Sequence, residues 1–219
     1  VQHTIRYINV HAHQPGQPGE TVICSLYNGF QQVQQKGYYT IGLHPWYLQQ
    51  PNGASWQELE QWAASPNVIG IGECGLDKVC ATDFQLQQQV FKQQVLLANQ
   101  LNKPLVLHCV RAFDECQSVL LNCNNRVPVL FHGFAKSVVL AQQLTAKGFY
   151  LSLGTALLRP QLQEVLRQVP LHKILLETDD ADISVAQLYR LAAGICSLSE
   201  YDFSLQMQRN AAEFFNQSI

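Results

Sequence analysis

The chain has 219 residues, a formal net charge of −2 and only 14% charged residues against 47% hydrophobic ones. These values exclude disorder driven by net charge and a broadly basic, nucleic-acid-coating protein. No apolar run approaches the roughly 20 residues that span a bilayer, so no membrane association is predicted. Glutamine takes much of the polar surface that Lys and Glu normally supply. Residues 1–10 lack a basic stretch followed by an apolar one, and no secretory signal is read there. The seven cysteines are scattered, with no CxxC pair. That pattern predicts a reduced, cytoplasmic protein with mostly buried thiols.

In chain order, strands are predicted at 5–10, 21–27, 38–43, 68–72, 104–107, 127–131, 149–153 and 173–176. Each is short and apolar on both faces, as in a parallel sheet covered on both sides. Helices are predicted at 55–64, 82–100, 137–147, 160–168, 184–197 and 199–215. Ser55 and Glu58 form a capping box at the first, and Gly148 ends the third. Strand and helix alternate, which indicates a single α/β domain over 1–219. Eight such units predict a TIM-like (β/α) barrel. The barrel is irregular: Pro15, Gly16, Pro18 and Gly19 break the segment after the first strand, so its helix is predicted to be missing.

The polar residues fall at strand ends. His11 and His13 follow the first strand, Glu73 the fourth, His108 the fifth, His132 the sixth and Asp179 the eighth. In a parallel barrel these ends gather at one mouth, where barrel enzymes place their chemistry. In a strand, residues two apart share a face, so His11 and His13 can grip one ion together. Histidine and carboxylate donors without thiolate suit Zn, Mn, Ni, Fe or Mg. Six donors exceed the needs of one tetrahedral ion and fit two divalent ions bridged by a carboxylate, a pair that can clamp a hydrolytic transition state.

Six segments carry a resemblance: NVHAH at 9–13, GLHP at 42–45, IGECGLD at 71–77, NKPLVLH at 102–108, FHGF at 131–134 and LETD at 176–179. In order and content they resemble the TatD family of metal-dependent hydrolases, within the amidohydrolase-like barrels. The resemblance implies a deoxyribonuclease cleaving phosphodiester bonds near DNA ends, typically the 3′ end, by metal-activated water. It implies that His11, His13 and Asp179 bind a first metal and that Glu73 bridges to a second held by His108 and His132. Related barrels often bridge with a carbamylated Lys; an unmodified Glu73 takes that place. The chain departs from the family pattern at Asn9 (usually Asp), at Gln14 (usually Leu), at Ala135-Lys136 (usually Ser-Gly), and at Arg111, which lies three residues after His108 rather than two.

The expected enzyme is thus a metal-dependent hydrolase acting on ester bonds. Its cofactors are two divalent ions (Zn, Mg, Mn or Ni), and DNA is its substrate. No obligate protein partner is inferred. Asp179 is both metal ligand and catalytic proton acceptor, while His44 and Arg111 bind substrate, Arg111 through a phosphate. The alternatives are a metallohydrolase of small amides or esters, or a catalytically inactive metal-binding interaction protein. Asp77 orients a ligand or caps the following segment. Glu177 is assigned a structural hydrogen bond, Cys74 and Cys109 packing, and His3 and His172 surface or core positions. Trp46 and Tyr47 are read as packing residues, base stacking being the other role open to them.

Overall fold

The computed structural model describes residues 4–50 and 53–219; His3 lies outside them. The strands are β1 (Tyr7–Ala12), β2 (Glu20–Leu26), β3 (Tyr38–Ile41), β4 (Val68–Asp77), β5 (Leu105–Val110), β6 (Val129–Phe131), β7 (Tyr150–Leu153) and β8 (Ile174–Leu176). The α-helices are α1 (Trp56–Ala63), α2 (Phe84–Leu101), α3 (Phe113–Asn122), α4 (Val138–Ala146), α5 (Pro160–Gln168), α6 (Val185–Ile195) and α7 (Glu200–Phe215). The strands follow one another in chain order within one sheet. β1–β2, β3–β4, β4–β5 and β7–β8 pair in parallel. No helix separates β1 from β2, because the prolines and glycines at 15–19 deny that segment helical backbone. No helix among the described residues is long and apolar enough to cross a membrane.

The chain divides into two compact units, one of Val1–Cys24 with Phe131–Ile219, the other of Ser25–Leu130. In the first, Ile8, Val10, Leu151, Leu153 and Ile174 are buried, as are Tyr189, Phe203, Met207 and Phe214 of α6 and α7. The Tyr189 hydroxyl clips β1 to α6: it accepts from Ile8 N at 3.1 Å and donates to Ile8 O at 3.0 Å. Asn210 of α7 donates to the carbonyls of Leu171 and Ile174, both at 2.7 Å. Each contact gives a buried polar group its partner, so these helices can pack without leaving orphaned donors.

In the second unit β4 is buried along its whole length. Two buried glutamines of α2 grip the neighbouring backbone. Gln94 accepts from Leu43 N at 2.7 Å and donates to Leu43 O at 3.1 Å. Gln87 accepts from Asp77 N at 2.8 Å and donates to the carbonyls of Asp77 and Thr82. The glutamine bias is therefore not all surface. Ser55 and Glu58 make the predicted capping box on α1, and Asp83 caps α2.

Three expectations need correction. β4 and β5 run on to Asp77 and Val110, so Glu73 and His108 lie within strands rather than after them. His11 likewise lies inside β1. Gly72 closes the predicted fourth strand, but it and Gly75 serve close strand approach: a Cβ on Gly75 would fall 2.2 Å from the His108 carbonyl, and its φ is +136°. Third, α3 was not among the predicted helices. It starts at Ala112 without a side-chain cap, so the usual start signal is absent. Its burial of Cys116 and Leu120 and the acidic Asp114 and Glu115 in its first turn support it instead.

Candidate metal centre

Among the described residues, each unit carries a cluster of histidines and carboxylates. The first is built on β1. The β1–β2 register slips between Asn9 and Ala12, so three steps on β1 match two on β2, from Val22 to Cys24. Such a bulge re-aims side chains, and His11 sits in it. His13 follows the strand. Its ring lies 5.2 Å from that of His11, nearly perpendicular to it. The Nε2 atoms of both lie 3.5 Å from Asp179 Oδ1. The His132 ring lies 4.3 Å from the His11 ring. His11, His132 and Asp179 form a group able to hold one ion.

The backbone holds this cluster in place. Asp179 N donates to His11 O at 3.0 Å, and Asp179 adopts a left-handed φ of +53°. Asn9, buried beside it on β1, forms a reciprocal pair with Thr178. Asn9 Nδ2 donates to Thr178 Oγ1 at 2.7 Å, and Thr178 N donates to Asn9 Oδ1 at 3.0 Å. An amide supplies both the donor and the acceptor that this pair uses. Glu177 is fully engaged on structure: Oε1 accepts from Gly133 N at 2.7 Å, Oε2 accepts from the Ser152 hydroxyl, and His132 Nδ1 lies 3.4 Å from Oε1. Gly133, at φ +58°, turns its N–H to Glu177 in a backbone state that favours glycine.

The second cluster is built on β4 and β5. Here too the register slips, between Ile71 and Cys74 opposite Leu105 and Leu107, and Glu73 occupies the slip. Glu73 Oε1 lies 2.9 Å from His108 Nδ1 and 3.0 Å from His44 Nε2. His108 Nε2 lies 3.0 Å from Asp77 Oδ2, which also accepts from Trp46 Nε1 at 2.7 Å. Asp77 Oδ1 caps the following turn, accepting from Val79 N at 2.7 Å. Asp77 thus both caps this turn and holds the His108 ring. Burial alone would raise the Asp77 carboxyl, but the bonds from Trp46, His108 and Val79 outweigh it and hold it below the usual range.

Tautomers separate the two histidines around Glu73. His44 Nδ1 accepts from Trp46 N at 3.1 Å, so its proton sits on Nε2 and is donated to Glu73. His44 therefore orients the carboxylate and has no lone pair directed at a cation. His108, with Nε2–H held on Asp77, offers the Nδ1 lone pair, the carboxylate–histidine arrangement of metal sites. The donors fit a divalent ion chemically: imidazole and carboxylate, with no thiolate in reach. Cys74 is buried and its thiol pushed up by burial. Cys116 lies 3.7 Å from Cys109, sulfur to sulfur. Arg111 is exposed in the loop after β5, with φ +55°. His172 is exposed.

The family model described as TatD related DNase matches residues 22–216. The chain belongs to the TatD family. The matched stretch includes Glu73, His108, His132 and Asp179; His11 and His13 precede it. The chain is 29% identical over 153 residues to an uncharacterized metal-dependent hydrolase of Escherichia coli K12, YjjV, covering 67% of this chain and 59% of that protein. It is 31% identical over 147 residues to the 3′-5′ ssDNA/RNA exonuclease TatD of Shigella flexneri, covering 64% of this chain and 56% of that one. The chain thus spans little more than half the length of these curated relatives. The crystal structure of the TatD homologue YjjV superposes with a TM-score of 0.83 at 21% identity, over 98% of this chain and 99% of that one. That likeness shows the fold, a TIM-like (β/α) barrel, here without a helix after β1.

Sequence reasoning missed the supporting residues. Gln87 and Gln94 were hidden in a glutamine-rich helix. Asn9 was noticed only as a departure from the family. The sole available signal for the glutamines was their spacing of two helical turns, which places them on one face of α2.

Proposed function

We propose that this TatD-family chain is a metal-dependent nuclease that removes nucleotides from an end of single-stranded DNA. The observation that carries the reading is the pair of Nε2 atoms, of His11 and His13, set at one distance from a single Asp179 oxygen. Supporting it are the Glu73–His108–Asp77 chain in the other unit and a relative named as a 3′-5′ ssDNA/RNA exonuclease. His11, His13, His132 and Asp179 would hold one divalent ion, His132 standing beside His11 rather than with the expected second ion, and Glu73 and His108 would hold another. Such ions supply activation of water and charge stabilisation at a phosphoryl group. Asp179 has a side chain 44% exposed, so its carboxylate can accept the proton of an attacking water and pass it to solvent. Glu177 keeps the His132 ring oriented. His44 keeps Glu73 oriented, and Asp77 sets the His108 tautomer.

The test uses single-stranded DNA labelled at one end or the other, with the protein loaded in turn with Mg, Mn, Zn or Ni. The expected result is stepwise shortening from the 3′ end that a chelator stops. Intact DNA with every metal overturns the reading, and turnover of small esters or amides alone assigns the chain to that chemistry instead.

A further inference from the structure

Among the described residues Trp46 is the only Phe, Tyr or Trp that is exposed, with 48% of its surface accessible. A packing tryptophan hides its ring; this one is held open from several sides. Pro45 starts a short 3-10 turn at Pro45–Tyr47, and the Trp46 N–H is bound to His44 Nδ1. The indole N–H is bound to Asp77 at 2.7 Å. The ring meets His44 and His108 edge to face, at 5.1 and 5.4 Å between centroids. The side chain has little freedom left to lose, which lowers the entropic cost of stacking a ligand on it.

The ring borders a cavity of about 400 Å³, within the range of small-molecule sites. Gln49, Gln50 and Thr82 line it with neutral polar groups, and Val79 and Ala81 with apolar ones. Asp77 is the one charged side chain in that lining, and no Lys or Arg contributes. A phosphate finds no cation here and meets a carboxylate. A flat, neutral heterocycle finds an aromatic face, amide groups for its edge and apolar walls. Asp77 Oδ2 serves both Trp46 and His108, so the platform is tied to the metal cluster by one carboxylate.

We infer that this cavity is a nucleobase subsite, in which Trp46 stacks the base of a nucleotide whose phosphate lies at the Glu73–His108 cluster. The inference rests on the nuclease reading for its substrate. Amide side chains present donor and acceptor alike, so the subsite takes any of the bases with modest preference.

The test compares a short single-stranded oligonucleotide with one carrying an abasic residue at its 3′ end. Binding is measured by fluorescence anisotropy with metal present, on oligonucleotides made resistant to cleavage by phosphorothioate linkages, and cleavage on the unmodified ones. The wild type should favour the base-bearing oligonucleotide by on the order of 10- to 100-fold in binding, the range one stacked base supplies. Trp46→Ala should erase that preference and Trp46→Phe should keep most of it. Equal binding of the two oligonucleotides by the wild type overturns the subsite without needing any variant to fold. A preference unchanged in Trp46→Ala overturns it as well. Base-dependent binding through Trp46 with no cleavage of either oligonucleotide leaves the subsite standing and sinks the nuclease reading. Cleavage indifferent to the base, with equal binding, does the reverse.

Discussion

At the residue scale, Asp179 combines a strained backbone with a chemical task. A left-handed φ of +53° disfavours most side chains, but Asn adopts it at least as readily as Asp. Asp179→Asn therefore separates chemistry from folding. The variant should lose about 10²–10⁴-fold in turnover, the usual cost of removing a general base. Its thermal midpoint without metal should stay near that of the wild type. A folded, metal-loaded Asp179→Asn protein with near-normal turnover refutes the assignment. Asp77 acts differently, through His108. Asp77→Ala removes the acceptor that fixes the His108 tautomer, and loss of such a partner lowers metal affinity by about 10–100-fold. Equilibrium dialysis against a metal buffer measures this. A smaller change would mean that Glu73 alone orients His108.

At the element scale, α2 acts as a two-point clamp. Leu43 lies just before His44, and both its backbone groups depend on Gln94. Gln94→Leu keeps the apolar bulk and orphans a buried N–H and a buried C=O. Each orphan costs about 1–3 kcal/mol, so a urea titration should show a loss of roughly 2–6 kcal/mol. Helix α1 offers a pH probe. Lys103 Nζ donates to the carbonyls of Ala63 and Ser65 at its C-terminal end. Burial pushes this ammonium down to about 8. A folded-state value below the unfolded one means that folding disfavours the proton. Between about pH 8 and the unfolded value the unfolded chain binds more protons, so this group's contribution raises stability as pH rises. Lys103→Gln should remove that rise. The difference between wild-type and variant stability across pH 7–10 checks it, since the tyrosines and cysteines cancel in the difference.

At the scale of the whole molecule, metal loading and stability are linked. An ion that binds only the folded chain stabilises it by about 2.7 kcal/mol at a free concentration 100 times its dissociation constant. The thermal midpoint should rise with added metal and fall back with chelator. His13→Ala should blunt the rise, since His13 and His11 flank the same Asp179 oxygen. A midpoint insensitive to every divalent ion would remove the basis for metal binding at either cluster.

Much of this was legible in residue order. Short apolar runs separated by capped helical stretches specify a parallel α/β fold, because period and capping are local properties. The prolines and glycines at 15–19 forbid a helix between β1 and β2 by backbone sterics alone. The histidines and carboxylates that the structure gathers could be listed in advance, because few buried positions tolerate such groups without partners. Tertiary structure decided what they do. Register slips in β1 and β4 aim His11 and Glu73, and a slip depends on the neighbouring strand. The proton on His44 is placed by the Trp46 N–H, and that on His108 by Asp77, partners that spacing does not reveal. Gln87 and Gln94 look like their exposed neighbours until β4 and the segment after β3 supply backbone for them to hold. Trp46 reads as packing until its indole N–H is seen tied to Asp77 while the residue stays half exposed. Local chemistry determined which groups were available, and long-range contacts determined their direction, their protonation and their exposure.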